Sequence, residues 1–300
     1  MVSMLSRRAL RAAAYILAFL SLLVVAVAVA AAGNGAAELR ERHVALQPQL
    51  AANVFGGPLV LQSEEMDRRV DGHVYAVLSH PFDVVSAALN DPAQWCQIMI
   101  LHLNTKYCRS GEEQGQPQLQ LRVGRKHPQE IESASLLAFT WRSPTVQPDY
   151  LSVEMGAVKG PYDTRDYRLT AEAIPLEGGR TFLHLGYALS YGGVSAFAMK
   201  MYLGTTGRDK VGFTRMQAQD GREAYVGGMR AVVERNTMRY YLAIDAYLDS
   251  LSAPPAQQLE KRLQAWFDAT ERYPRQLHEV EREDYLRMKR AEVQRQLALR

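Results

Sequence analysis

The chain of 300 residues has only two cysteines, Cys96 and Cys108. No further sulfur or histidine stands at ligand spacing, so neither a structural zinc nor another metal site is expected. Charge of one sign is also scarce: 35 Lys+Arg against 32 Asp+Glu leave a net +3. Without a Lys/Arg tract interleaved with aromatics, that balance gives no electrostatic footprint for nucleic acid. No G-x-S-x-G, H-E-x-x-H, P-loop or dinucleotide fingerprint occurs in a suitable setting, so no cofactor is implied and no catalytic residue is named. No internal repeat is present, which removes solenoids and propellers. Long apolar runs are missing too, with one exception at the N-terminus.

That exception is AAAYILAFLSLLVVAVAVAAA, Ala12 to Ala32, uncharged and preceded by Arg7, Arg8 and Arg11. A basic flank before an apolar core is the layout of a signal peptide or an uncleaved signal anchor. Its length of about 21 residues is enough to span a bilayer, while the small residues Ala28 and Ala30 suit a peptidase. Both readings put residues beyond about 34 on the exported side: the chain is either membrane-anchored or soluble there, in the periplasm if the source is bacterial. In an oxidising compartment Cys96 and Cys108 either pair or remain two buried thiols.

Residues 34–68 carry Pro48, Pro58 and several glycines and read as a tether with one short helix near 37–47. The domain is expected over 69–252. VDGHVYAVLS, Val70 to Ser79, alternates as a strand; FDVVSAALND and AQWCQIMILHL then read as two short helices. A series of period-2 runs follows, among them QLQLRVGRK, ASLLAFTWRS with Phe139 and Trp141 on one face, and RTFLHLGYALSYG with Leu183, Leu185, Tyr187 and Leu189 together. Glu177-Gly178-Gly179 is a hairpin signal between the last two runs. Repeated alternation predicts an antiparallel sheet with one covered face. Residues 193–221 read as an excursion, with VSAFAMKMYLGTTG as a helix.

The longest helical pattern is Tyr225 to Leu251, free of proline and closed by Pro254 and Pro255. Met229, Val233, Asn236, Tyr240 and Ile244 recur at steps of three and four, marking one broad face in which Asn236 is the polar member. Parity on the strand ahead places Arg165 on the same side as Tyr167 and Leu169, at the edge of any cavity, where a guanidinium suits a carboxylate or phosphate. A salt bridge from Arg165 to Glu234 is the alternative role. Residues 253–300 are expected to form helices; the charged stretch HEVEREDYLRMKRAEVQRQLALR reads as a solvated face or a partner-binding helix.

The order of strand, two short helices, antiparallel run and one long closing helix over residues 69–252 resembles the START-like superfamily, also called SRPBCC or helix-grip domains. The resemblance rests on element order, not on a fixed motif, and the excursion at 193–221 departs from its simplest members. It implies an α+β fold in which a curved antiparallel sheet wraps a long C-terminal helix around an apolar cavity. The cavity is expected to be lined by Phe139, Trp141, Arg165, Tyr167, Leu183, Leu185, Tyr187, Leu189, Met229, Val233, Asn236 and Tyr240. What this implies about function is a carrier or sensor of a hydrophobic small molecule or lipid. The alternatives are an interaction protein with a collapsed cavity working through its C-terminal helices, or a cyclase or aromatase.

Overall fold

A computed structural model describes residues 35–193, 210–217 and 221–299. The apolar stretch Ala12–Ala32 and the helix expected over 194–207 lie outside these residues. Among the described residues no helix is long and apolar enough to cross a membrane. A helix, α1, covers 35–51, and the chain divides within it: one unit ends at Ala45 and the second is Leu46–Arg300. The second unit holds everything that follows.

Its centre is an eight-stranded sheet in the order β1-β2-β8-β7-β6-β5-β4-β3. The strands are β1 (Leu59–Met66), β2 (Arg69–Leu78), β3 (Thr105–Glu113), β4 (Gln116–Val123), β5 (Ser135–Gln147), β6 (Tyr150–Lys159), β7 (Thr164–Leu176) and β8 (Arg180–Tyr191). Every pair is antiparallel. The helices α2 (Phe82–Leu89) and α3 (Pro92–Met99) carry the chain from β2 to β3, which stand apart in that order. The Asp91 side chain accepts from the Ala93 amide and Pro92 takes the first turn of α3, so the cap and the proline fix where it starts.

The tight hairpins follow from residues that tolerate positive φ. Asp67 and Arg68 (φ 48 and 63) turn β1 into β2; Gln114 and Gly115 (φ 52 and 77) turn β3 into β4. The sheet therefore begins at Leu59, inside the stretch expected to be a tether. Only Leu59 and Val60 of β1 are buried, and the polar remainder, QSEEM, hides the strand from a periodicity argument. β1 is an edge strand, where polar residues are tolerated.

The long helix α4 (Gly228–Ser250) packs against β1, β2 and β8. It starts later than the pattern suggests because Glu223–Tyr225 form a short strand, β10, that pairs with β9 (Arg215–Gln217). Gly228 then adopts φ 63 to begin the helix. At Gly72 the helix comes so close that a Cβ would lie 2.5 Å from Thr237 Oγ1, so glycine is required in β2 at that point. Val233, Ile244, Tyr247 and Leu248 are buried as the apolar stripe demands. The opposite side of α4 is covered as well: Trp266 of α5 (Pro255–Glu271) donates its indole N–H to Arg239 O at 3.1 Å.

A short helix, α6 (Pro274–Leu277), leads to α7 (Arg282–Ala298), and α7 docks on β3. Here the charge pattern misleads. Lys289 and Glu292, which the sequence places on a solvated face, are wholly buried together with Lys106 of β3. Glu292 pairs with Lys106 at 3.0 Å and with Lys289 at 2.8 Å. Lys106 also donates to Leu103 O, and Lys289 to the carbonyls of His102 (2.6 Å) and Thr105 (2.8 Å). Burial lowers both lysine pKa values, that of Lys289 to about 8. The Gln296 side chain accepts the Cys108 amide at 2.9 Å, and Cys108 is disulfide-bonded to Cys96, tying β3 to α3. The pairing left open by the sequence is thus made, and the C-terminal helices are integral to the domain.

Candidate binding cavity

Between the covered face of the sheet and the N-terminal half of α4 the side chains do not meet, and a cavity of about 500 Å³ remains. Its floor is Leu137 of β5, Tyr167 of β7, and Tyr187 and Leu189 of β8. Its roof is Met229, Val232, Asn236 and Tyr240 of α4. One end is closed by His102, Asn104 and Thr105, ahead of and starting β3, with Val123 and Gly124 at the end of β4. Pro161, Tyr162 and Thr164 of the β6–β7 turn form the rim, where Tyr162 is 76% exposed at φ 56. Mostly apolar lining with a few polar groups is the composition of a small-molecule site.

The aromatic rings form a continuous run. Phe139 meets Tyr167 edge-on at 6.2 Å, Tyr167 tilts on Tyr187 at 6.2 Å, Tyr187 meets Tyr240 edge-on at 5.3 Å, and Tyr240 tilts on His102 at 5.1 Å. Burial raises the phenol pKa values of Tyr167, Tyr187 and Tyr240, so all three remain hydroxyls. The Tyr167 hydroxyl is 2.7 Å from Thr164 Oγ1 at the rim. His102 accepts the Asn104 amide on Nδ1 at 3.1 Å, and its Nε2 has no hydrogen-bond partner among the described residues. Burial, then Arg239 and Lys289, holds the imidazole pKa well below its usual value, so the ring is neutral.

Of the twelve expected lining residues the structure brings Tyr167, Tyr187, Leu189, Met229, Asn236 and Tyr240 to the cavity. Phe139 stands one ring behind Tyr167. Trp141 is buried edge-on against Trp95 at 6.4 Å, and Leu183 and Leu185 are wholly buried in the core cluster. Val233 faces β2 at Gly72.

Arg165 is the clear misplacement. The β7–β8 register shifts between Arg165 and Arg168, and Asp166 inside that bulge has φ 52. A bulge breaks strict alternation, so Tyr167 points inward while the Arg165 side chain is 50% exposed and lies 3.5 Å from Asp166. Nor does Arg165 pair with Glu234, which instead accepts from Ser63 Oγ and the amides of Phe213 and Thr214.

Sequence reasoning passes over His102, Asn104 and Thr105 because a helix-to-strand junction carries no period. It passes over the 161–164 turn for the same reason. His184 lies on the outer sheet face as parity predicts, donating to or accepting from His73 (3.0 Å) and bonding Glu172 (2.8 Å).

A scan against protein-family models finds no match, and a search of curated proteins finds none. Solved structures similar to the chain include Ara h 8.0201, at 9% identity over 64% of this chain and 99% of that one, with a TM-score of 0.36. The Zhui aromatase/cyclase from a Streptomyces species is 15% identical over 66% of this chain and 94% of its own, with a TM-score of 0.30. The human StarD13 lipid transfer and protein localization domain is 10% identical over 45% and 71%, with a TM-score of 0.31. Likeness at these values assigns no activity or ligand. The strand order, the two helices linking β2 to β3, and α4 laid across the covered face make this an α+β domain with a helix-grip architecture.

Proposed function

We propose that the chain holds one hydrophobic small molecule or lipid in the cavity between α4 and the sheet, as a carrier or sensor without catalysis. The observation that carries this reading is the space of about 500 Å³, bounded by Leu137, Leu189, Met229, Val232 and the tyrosine run. Each buried CH₂ contributes about 0.8 kcal/mol relative to water, so the cavity can compete with a membrane for a medium-length acyl chain.

The same proposal places the domain on the exported side of a membrane, tethered by an uncleaved N-terminal segment. It is supported by Arg7, Arg8 and Arg11 ahead of the uncharged Ala12–Ala32, and by the Cys96–Cys108 bond, of a kind that persists in oxidising compartments. Fusing residues 1–33 to a phosphatase that is active only after export should give activity in intact cells; an inactive fusion contradicts this part.

Binding itself is tested by extracting protein purified from its native host and identifying the released molecule by mass spectrometry. A near-stoichiometric apolar or amphipathic molecule is expected. Protein that releases none, and that takes up no fluorescent fatty acid, contradicts the reading.

A further inference from the structure

Among the described residues, the lining of the cavity holds no Asp, Glu, Lys or Arg. Its polar members are His102, Asn104, Thr105, Thr164, Asn236 and the tyrosines. Burial keeps His102 neutral, and Arg239, Lys289 and Lys126, which add to this, stand outside the lining with carboxylate partners. Arg239 pairs with Glu279 at 2.8 Å, Lys126 with Glu279 at 2.7 Å, and Lys289 with Glu292 at 2.8 Å. An ionised group brought into this space would lose its water and meet no opposite charge there. That is far costlier than burying a neutral oxygen.

Several of the polar groups are already engaged. The Tyr167 hydroxyl and Thr164 Oγ1 lie 2.7 Å apart, and Asn104 donates to Gly124 O at 2.6 Å. The Asn236 side chain is shared between the His102 ring and the Tyr187 hydroxyl. Tyr240 differs. Its ring lies between those of Tyr187 (5.3 Å) and His102 (5.1 Å), at the end of the cavity away from the rim. Its hydroxyl makes no hydrogen bond among the described residues and, unlike His102 Nε2, is not sealed off from the cavity that the residue lines. Burial keeps the phenol protonated, and a phenol hydroxyl both donates and accepts. It therefore suits an alcohol or a carbonyl oxygen.

We propose that the cavity admits only the uncharged part of its occupant, and that this part carries a neutral oxygen, a hydroxyl or a carbonyl, that meets the Tyr240 hydroxyl. This rests on the cavity reading above and adds the chemistry of what is admitted. A ligand with one ionised head keeps that head in water at the Pro161–Thr164 rim and enters by its other end. A molecule ionised at both ends has no end to lead with. Between two chains of one length, the one whose leading end bears an oxygen satisfies Tyr240. The one that ends in a methyl group leaves that hydroxyl without a partner.

Three acids with the same head and different ends test both halves: dodecanoate, ω-hydroxydodecanoate and dodecanedioate, titrated by calorimetry at a pH where every carboxyl is ionised. Wild type should bind the first two and hold dodecanedioate more than about tenfold more weakly than dodecanoate, as expected for a charge without a partner. A smaller difference overturns the exclusion of charge. Tyr240→Phe keeps the ring and removes the hydroxyl. It should lower the affinity for the hydroxy acid relative to dodecanoate by about tenfold. A ratio unchanged from wild type in the folded variant overturns the role of Tyr240. Wild type that binds none of the three acids overturns the cavity reading itself.

If the variant does not fold, a crystal structure of the wild type with ω-hydroxydodecanoate decides. The ligand hydroxyl is expected within hydrogen-bond reach of Tyr240 Oη, with the carboxylate outside the cavity. A carboxylate inside it, or a ligand hydroxyl bonded elsewhere, overturns the assignment.

Discussion

The segment from Leu101 to Lys106 separates two buried polar regions that are built in opposite ways. On its α7 side, Lys106, Lys289 and Glu292 are 0% exposed, and their ammonium groups find carboxylate and carbonyl acceptors within the chain. On its cavity side, His102 is nearly as buried, with the Asn104 amide on Nδ1 and the Asn236 side chain beside the ring, and no counter-charge. The first arrangement is closed on itself and serves cohesion. The second borders the open space beneath α4. Burial alone does not separate structural from functional polar groups; the accounting of donors and acceptors does.

The comparison breaks most visibly on its closed side. Glu292→Ala leaves two lysines in the interior without their counter-charge and should cost about 3–5 kcal/mol. Chemical denaturation reads this directly, and a loss below 1 kcal/mol would place the trio in solvent. Reducing Cys96–Cys108, which anchors β3 beside the same cluster, releases a short loop and should cost about 3 kcal/mol. The shift in the thermal midpoint on adding a reductant measures it. Neither change should alter the affinity of the protein that remains folded.

The open side should respond the other way. Leu189→Trp places a larger ring in existing space, so stability should change by no more than about 1 kcal/mol while fluorescent fatty-acid uptake is lost. Unchanged uptake would put the binding site elsewhere. A pH titration sharpens the closed side further. Burial alone would raise the Glu279 pKa, but Arg239, then Lys126 and Lys210, outweigh it and hold the carboxyl at about 2, against 4.5 when unfolded. A depressed carboxyl pKa gives stability that is fully present above 4.5 and is lost as pH falls from there toward 2. Glu279→Gln should flatten the stability curve in that window. The smallest effect is expected at Arg165, on the bulge: Arg165→Ala should change stability by less than about 0.5 kcal/mol and leave uptake untouched, as equilibrium denaturation and probe titration would show.

Much of the architecture is legible in the residues because it rests on period. The alternation of RTFLHLGYALSYG becomes β8 over Arg180–Tyr191, and the stripe through Met229, Val233 and Ile244 becomes the sheet-facing side of α4. The site is legible by half for the same reason, since Tyr167, Tyr187, Leu189, Met229, Asn236 and Tyr240 belong to periodic segments. What escapes is what breaks period. Asp166 at φ 52 reverses the side on which Arg165 stands. His102 sits where a helix gives way to a strand and has no phase to read. Lys289 and Glu292 look solvated on α7 because their partner, Lys106, is remote in sequence, and pairing across that distance leaves no local mark.

The most direct measurement of the central claim is anomalous diffraction from crystals grown with a terminally brominated fatty acid. The bromine should appear within the cavity bounded by Tyr167, Tyr187, Met229 and Tyr240. Bromine found only on outer surfaces, with the cavity empty at saturating ligand, would contradict the account.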